Sequence, residues 1–238
     1  MNAFPLVPFP LRLAPDFMRG WFVTGTDTGV GKTLVSVALL TALARSGRRV
    51  VGMKPVASGC AATPHGLRSA DAEALRAAGN VAADYQDINP YALAAPTAPH
   101  LAAAAAGVQI DLATIHRHYA QLAVRSDAVV VEGVGGWLVP ISRTHTMADV
   151  ARALDLPVIL VVGMRLGCLN HALLTGRAIT ASGCRLVAWV ANSLESSAPD
   201  GYVEALTELL GVPCLGVIPF AASAAIAADS LDLYVIVN

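Results

Sequence analysis

This chain has almost no lysine. Of its 16 basic residues only Lys32 and Lys54 are lysines, and the other 14 are arginines. A composition that writes arginine nearly everywhere points to two sites that need a compact ammonium rather than a planar guanidinium. Charge of either sign is sparse, at 14% of residues with a net charge of −1. That balance supplies no field favouring nucleic acid or an anionic membrane surface. Long apolar runs are missing as well. "LPVILVVGM", from Leu156, is about half of the roughly 20 residues a membrane-spanning helix requires and suits a buried parallel strand. The four cysteines (Cys60, Cys168, Cys184, Cys214) include no C-x-x-C pair, which argues for reduced thiols in a cytoplasmic protein and against zinc or disulfides. Cys168 is read as an inert small residue. His65, His116, His118, His145 and His171 show no metal-ligand spacing.

Residues 1–18 hold four prolines and no basic cluster, a pattern of neither a signal peptide nor a transit helix. They are read as an N-terminal extension, disordered or from a misassigned start, ahead of one domain over 19–238. In that domain short apolar runs alternate with helical patterns. Strands are predicted at 21–25, 48–55, 127–133, 157–163, 185–192 and 213–219. Helices are predicted at 31–47, 69–79, 111–126, around 147–154, 170–183 and 201–211. Fully apolar strands alternating with helices predict a single α/β domain, a mainly parallel sheet covered on both faces. "NPYALAAPTAPH" (89–100) reads as a long loop serving a site.

The stretch "GTDTGVGKT" (25–33) follows a predicted strand and opens a predicted helix, the context of a phosphate-binding loop. Its first glycine, Gly25, stands one place early, and Thr26 holds the position that the G-x-x-x-x-G-K-[ST] pattern gives to glycine. Gly29 and Gly31 let the backbone turn its N–H groups toward one point, and the following helix adds its positive end. Lys32 would reach the β- and γ-phosphates and the Thr33 hydroxyl would ligate Mg²⁺. A metal-orienting carboxylate is expected from Glu132, which ends the run "AVVVEG", or from Asp71. Ligands of open α/β sheets collect at that carboxyl edge. Lys54, in "GMKPVASG", belongs to the same edge and could stabilise negative charge on a second substrate and a phosphoryl group in transit. Ser58 lies within reach of that substrate.

Together these stretches resemble dethiobiotin synthetase, an ATP-dependent family of biotin synthesis. The matching segments are "FVTGTDTGVGKT", "KPVASG", "TPHGLRSAD", "NPYALAAPTAPH", "VVVEGVGGW", "PVILVVGMRLGCLNHALLT" and "WVAN", spanning roughly residues 21 to 220. The shifted glycine is itself this family's form of the loop. The resemblance implies a P-loop domain and a homodimer with its substrate site at the subunit interface. It implies conversion of 7,8-diaminopelargonate, CO₂ (or bicarbonate) and MgATP to dethiobiotin, ADP and phosphate through a carbamate and a carbamic–phosphoric anhydride. Lys54, Lys32 and Thr28 match the catalytic and phosphate-contacting positions, and Thr33, Asp71 and Glu132 the magnesium site. The nucleotide would also meet Gly29, Val30, Gly31 and Leu34 of the loop, then Gly133, Val134 and Gly135 beyond the carboxylate. Asn192 matches the residue that reads the adenine edge, with Pro219, Phe220 and Ala221 on the base-binding loop. Ser58 matches a substrate contact, and Gly167, Cys168 and Asn170 a helix start that takes the substrate's distant carboxylate across the dimer.

The sequence also departs from the family. Gly29 stands where Glu is frequent, Arg165 replaces a Lys, and the tail after Pro219 shows little family character. His100, in the signature "PTAPH", is read as a capping or packing residue. Two rivals stay open. One is a P-loop ATPase switch that partitions DNA or positions division proteins, although "TDTG" lacks the extra lysine of such switches. The other is a corrin-type amidoligase, for whose glutamine-hydrolysing domain 238 residues leave little room.

Overall fold

The computed structural model describes residues 20–196 and 200–237; the extension expected over residues 1–18 lies outside the described residues. In chain order the first elements are β1 (Gly20–Gly25), α1 (Lys32–Arg45), β2 (Val50–Met53), β3 (Val56–Ala57), β4 (Ala61–Thr63), β5 (Gly66–Arg68), α2 (Ala70–Ala78), α3 (Tyr85–Ile88), β6 (Tyr91–Ala92) and α4 (Pro99–Ala105). There follow α5 (Leu112–Ala123), β7 (Ala128–Glu132), α6 (Met147–Leu154), β8 (Val158–Met164), α7 (Cys168–Ala181), β9 (Leu186–Ser193), α8 (Tyr202–Leu210), β10 (Cys214–Ile218), α9 (Ala224–Asp229) and α10 (Tyr234–Val237).

Six strands form one sheet in the order β10-β9-β8-β1-β7-β2, every pairing parallel. Strands β1, β2, β7 and β8 are buried along their whole length, as parallel strands between helical layers are. Side-chain alternation splits the interior in two. Phe22, Val129, Val131, Leu160 and Val162 face the layer that includes α5, α6 and α7. Trp21, Val23, Val130, Ile159 and Val161 face α1, α2 and α9. Each fully buried large apolar side chain, such as Phe22, Leu39 or Trp189, contributes about 1.5–3 kcal/mol. Phe22 also meets Trp137 edge-on, with ring centroids 6.1 Å apart.

Several expectations need correction. The stretch 89–100 is not one long loop, because it contains β6 and the start of α4. Pro99 opens that helix at N1, where a missing N–H costs nothing. Helix α7 begins at Cys168, two residues before the predicted start, because Gly167 takes a left-handed conformation (φ 92°) as its N-cap. Two short pairings were not foreseen in the 56–92 region, namely β3 with β6 and the β4–β5 hairpin. Beyond Pro219, where the sequence predicts no element, Ala227 and Ala228 of α9 are buried against the α1 side of the sheet, and Arg45 of α1 pairs with Asp229 at 2.7 Å. Among the described residues no helix is long and apolar enough to cross a membrane.

Candidate active site

Parallel pairing brings the ends of β1, β7 and β2 to one edge, with Val23 opposite Glu132 and Met53 opposite Val131. The order of the sheet reverses around β1, which makes this edge the usual ligand crevice. Between β1 and α1 the loop folds back tightly. A Cβ on Gly25 would lie 2.6 Å from Val30 Cγ2 and 3.1 Å from Lys32 Cγ. The early glycine is therefore where the loop returns over its own strand. Gly29 (φ 76°) and Gly31 (φ 93°) hold left-handed conformations that suit glycine. A Cβ on Gly31 would clash with Asn192 Nδ2, whose amide donates to the Val30 carbonyl at 2.9 Å. Asn192 thus braces the loop's backbone from the end of β9. No side chain caps α1, which leaves its first-turn N–H groups for an anion.

Alternation also aims the charged groups. Glu132 shares the parity of Val130, and Lys54, one residue beyond β2, shares that of Val50, so both turn toward α1. Lys54 Nζ lies 2.5 Å from Glu132 Oε1, 2.8 Å from Asp71 Oδ2 and 3.1 Å from the Gly133 carbonyl. Thr33 Oγ1 donates to the same Glu132 oxygen at 2.9 Å. Lys32 Nζ donates to the Asp27 carbonyl at 2.8 Å. Lys32, Lys54 and Glu132 are all buried. Burial, and then the charge of Lys54, brings the Lys32 pKa down to about 8. Burial alone would lower Lys54 too, yet the Glu132 and Asp71 carboxylates outweigh it and hold its pKa above the ordinary lysine value. Burial opposes the charge of Asp71, but the Lys54 ammonium prevails and lowers its pKa. Two ammoniums, two carboxylates and a hydroxyl therefore converge beside an open helix start.

Magnesium is implied by the resemblance drawn from the sequence, and the oxygen donors at this edge suit it. Glu132 Oε2 is buried without a hydrogen-bond partner, and Thr33 and Asp71 carry oxygen atoms of the hard kind that Mg²⁺ takes alongside phosphate. Among the described residues no group of three or more His, Cys, Asp or Glu could hold a metal by itself. Cavities of about 420 Å³, lined by Asp111, Arg143 and His145 among others, and about 580 Å³, lined by His65, Arg68, Glu73 and Arg76, include none of Lys32, Lys54 and Glu132.

Comparison with known proteins agrees with this geometry. Residues 19–225 match the family described as an AAA domain. The chain is 52% identical over 215 residues to a protein of Xanthomonas euvesicatoria pv. vesicatoria named ATP-dependent dethiobiotin synthetase BioD, covering 90% of this chain and 96% of that one. The chain belongs to the dethiobiotin synthetase family. A Vibrio vulnificus dethiobiotin synthetase of the same name is 49% identical over 209 residues, 87% of this chain and 92% of its own. Among solved structures, the MinC:MinD cell division protein complex of Aquifex aeolicus aligns with TM-score 0.56 at 17% identity, covering 92% of this chain and 88% of that one. That likeness concerns the P-loop fold alone.

Not every residue carried over from dethiobiotin synthetases stands at this cluster. Ser58 is half-buried just after β3. Gly167 and Asn170 are exposed at the start of α7, and Cys168 is buried with its N–H donating to the Arg165 carbonyl. Pro219, Phe220 and Ala221 are exposed beyond β10, with Ala221 at φ 55°. Thr28 and Gly29 are exposed at the loop's tip. His100 is in the first turn of α4 but does not cap it, since the N-cap is Ala98; its Nδ1 is buried without a hydrogen-bond partner. Burial raises the thiol pKa values of Cys60, Cys184 and Cys214, which suits inert cysteines. Sequence reasoning missed Asn89 and Tyr85, which hold the backbone around Lys54; "NPY" lay within a quoted motif but carried no sign of that role.

Proposed function

We propose that this chain converts 7,8-diaminopelargonate, CO₂ and ATP to dethiobiotin, ADP and phosphate. The observation that carries the reading is the buried Lys54 ammonium held between Asp71 and Glu132, beside the Lys32 loop. A phosphate loop alone serves any nucleotidase, whereas a second buried cation at the transfer point suits an anionic acceptor. The names of the relatives point the same way.

One amine of the substrate adds to CO₂ and gives up a proton, forming a carbamate. A carbamate oxygen attacks the γ-phosphorus, the bond to ADP breaks, and a carbamic–phosphoric anhydride results. The second amine then attacks the carbonyl carbon. The carbon–oxygen bond to phosphate breaks, the amine proton is released, and the cyclic urea closes. Lys32 and the first-turn N–H groups of α1 hold the triphosphate. Lys54 holds the carbamate and the phosphoryl group as charge moves between them, and the buried setting excludes water and keeps the two amines near one carbon. Thr33, Asp71 and Glu132 would hold Mg²⁺, which neutralises phosphate charge when bound. Thr28 contacts phosphate, and the Asn192 oxygen accepts from the adenine amine, with Pro219 to Ala221 against the base.

The substrate's far carboxylate is assigned to the start of α7 in a second subunit. Within one chain that start follows β8, three strand positions from β2, or roughly 14 Å. Asn170 and Leu174, four apart on α7, share an exposed face, and Leu166 before it is 86% exposed; apolar surface of this kind supports a homodimer. The free cysteines suit the cytoplasm. The test is to supply ¹³C-bicarbonate, ATP and the diamine and to weigh the product. One labelled carbon in a cyclic urea per ADP formed is expected, and ADP formed without labelled urea would refute the reading.

A further inference from the structure

Lys54 stands where the sheet no longer holds it. Strand β2 ends at Met53, and its ladder with β7 ends at the pair Met53–Val131. The backbone of Lys54 is held instead by the end of α3: its N–H donates to the Ile88 carbonyl at 2.7 Å, and its carbonyl accepts from Asn89 Nδ2 at 2.7 Å. Asn89 is buried. Its amide nitrogen also donates to the Tyr91 carbonyl at 3.4 Å, and its Oδ1 accepts from the Tyr85 hydroxyl at 3.1 Å. Two carbonyls on one side and a hydroxyl on the other fix which way the amide points.

The Tyr85 hydroxyl makes a second contact. It accepts from the Ser69 N–H at 2.7 Å, and Ser69 is the N-cap of α2, whose first turn carries Asp71. The ring is fixed from outside by the Arg68 guanidinium, 4.0 Å above its centroid. A closed circuit results, running from the Lys54 carbonyl through Asn89, Tyr85 and Ser69 to Asp71, and back through Asp71 Oδ2 to Lys54 Nζ at 2.8 Å.

We propose that Asn89 and Tyr85 are positioning residues that set the distance between Lys54 and Asp71, and thereby how well the carboxylate is placed for a metal-bound triphosphate. The inference rests on the site reading above. Both act through backbone, Asn89 on Lys54 just past the end of β2 and Tyr85 on Ser69 at the N-cap of α2. Hydrogen bonds of this supporting kind hold ligands within the small tolerances a metal demands.

The bland alternative is that these bonds only stabilise the fold, and Asn80 supplies the comparison. It braces the other end of the same strand, accepting from the Val50 N–H at 2.8 Å and donating to the Arg48 carbonyl at 2.9 Å. Tyr85→Phe removes one hydroxyl and keeps the ring. Asn89→Asp sets an oxygen against the Lys54 carbonyl. Asn80→Ala removes a brace remote from the site. The measurement is Mg²⁺ titrated against each protein saturated with a non-hydrolysable ATP analogue, together with the Tm of each free protein.

Tyr85→Phe and Asn89→Asp are expected to weaken Mg²⁺ binding about tenfold, the scale of one lost hydrogen bond, while binding of the Mg²⁺-free analogue changes less than about twofold on the same scale. Asn80→Ala is expected to lower Tm and leave Mg²⁺ binding unchanged. Should Tyr85→Phe and Asn89→Asp lower Tm as Asn80→Ala does, with Mg²⁺ binding intact, the proposal is overturned. Wild-type protein whose analogue binding ignores Mg²⁺ would overturn it as well. These readouts need no turnover, so a wild type that binds MgATP but forms no dethiobiotin would refute the functional reading and leave this inference standing.

Discussion

The Lys54 ammonium lies 2.5 Å from Glu132 Oε1, with both groups buried. In a low-dielectric interior such a pair is secure only while both members remain, since removing one leaves an uncompensated charge. The lysine also needs its particular shape, a single compact cation that meets Asp71 and Glu132 at once.

Lys54→Arg keeps the charge and loses that shape. Turnover is expected to fall on the order of a thousandfold, about 4 kcal/mol, with nucleotide binding retained. Steady-state kinetics beside a nucleotide titration checks this, and near-normal turnover would mean that the lysine is an accident of composition.

Lys32 makes nucleotide binding depend on pH. Its pKa in the fold, about 8, lies below the ordinary lysine value of 10.5. Between those values the unfolded chain binds more protons than the fold, so the contribution of this group to stability rises with pH across that window. A bound triphosphate favours the charged lysine. Binding at pH 9 should therefore take up a proton, and affinity should fall as pH rises from 8 toward 10. Calorimetry in buffers of different ionisation enthalpy checks the uptake.

Two glycines of the loop should behave differently. Gly29 and Gly31 both have positive φ, but only at Gly31 would a Cβ meet another group, the Asn192 amide. Gly29→Ala should cost about 1–2 kcal/mol of stability from backbone strain and keep nucleotide binding. Gly31→Ala should also displace Asn192 and weaken binding on the order of tenfold, about 1.4 kcal/mol. Paired melting curves and nucleotide titrations separate the two effects.

Local features were the legible ones. The strand, turn and helix of residues 20–45 are written in a contiguous pattern, and Glu132 betrays itself by ending a run of three valines. What joins Lys54 to Glu132 is the pairing of β2 with β7, across 78 positions of sequence, which no spacing discloses. Strands β3 and β6 have two residues each, too few for alternation to register. The circuit through Asn89 and Tyr85 was hidden for the same reason, because it forms only when that short pairing folds α3 against the end of β2. Helix α9 is a six-residue alanine-rich segment; its burial comes from packing on α1, since so short a helix has little stability of its own.

Coupling of ATP cleavage to a carboxylated diamine through the two lysines is tested most directly by phosphate release from MgATP by the purified protein, measured with diaminopelargonate alone, bicarbonate alone, both and neither. Release that needs both is the expected result. Release at the same rate without the diamine would contradict the account and favour a P-loop ATPase switch.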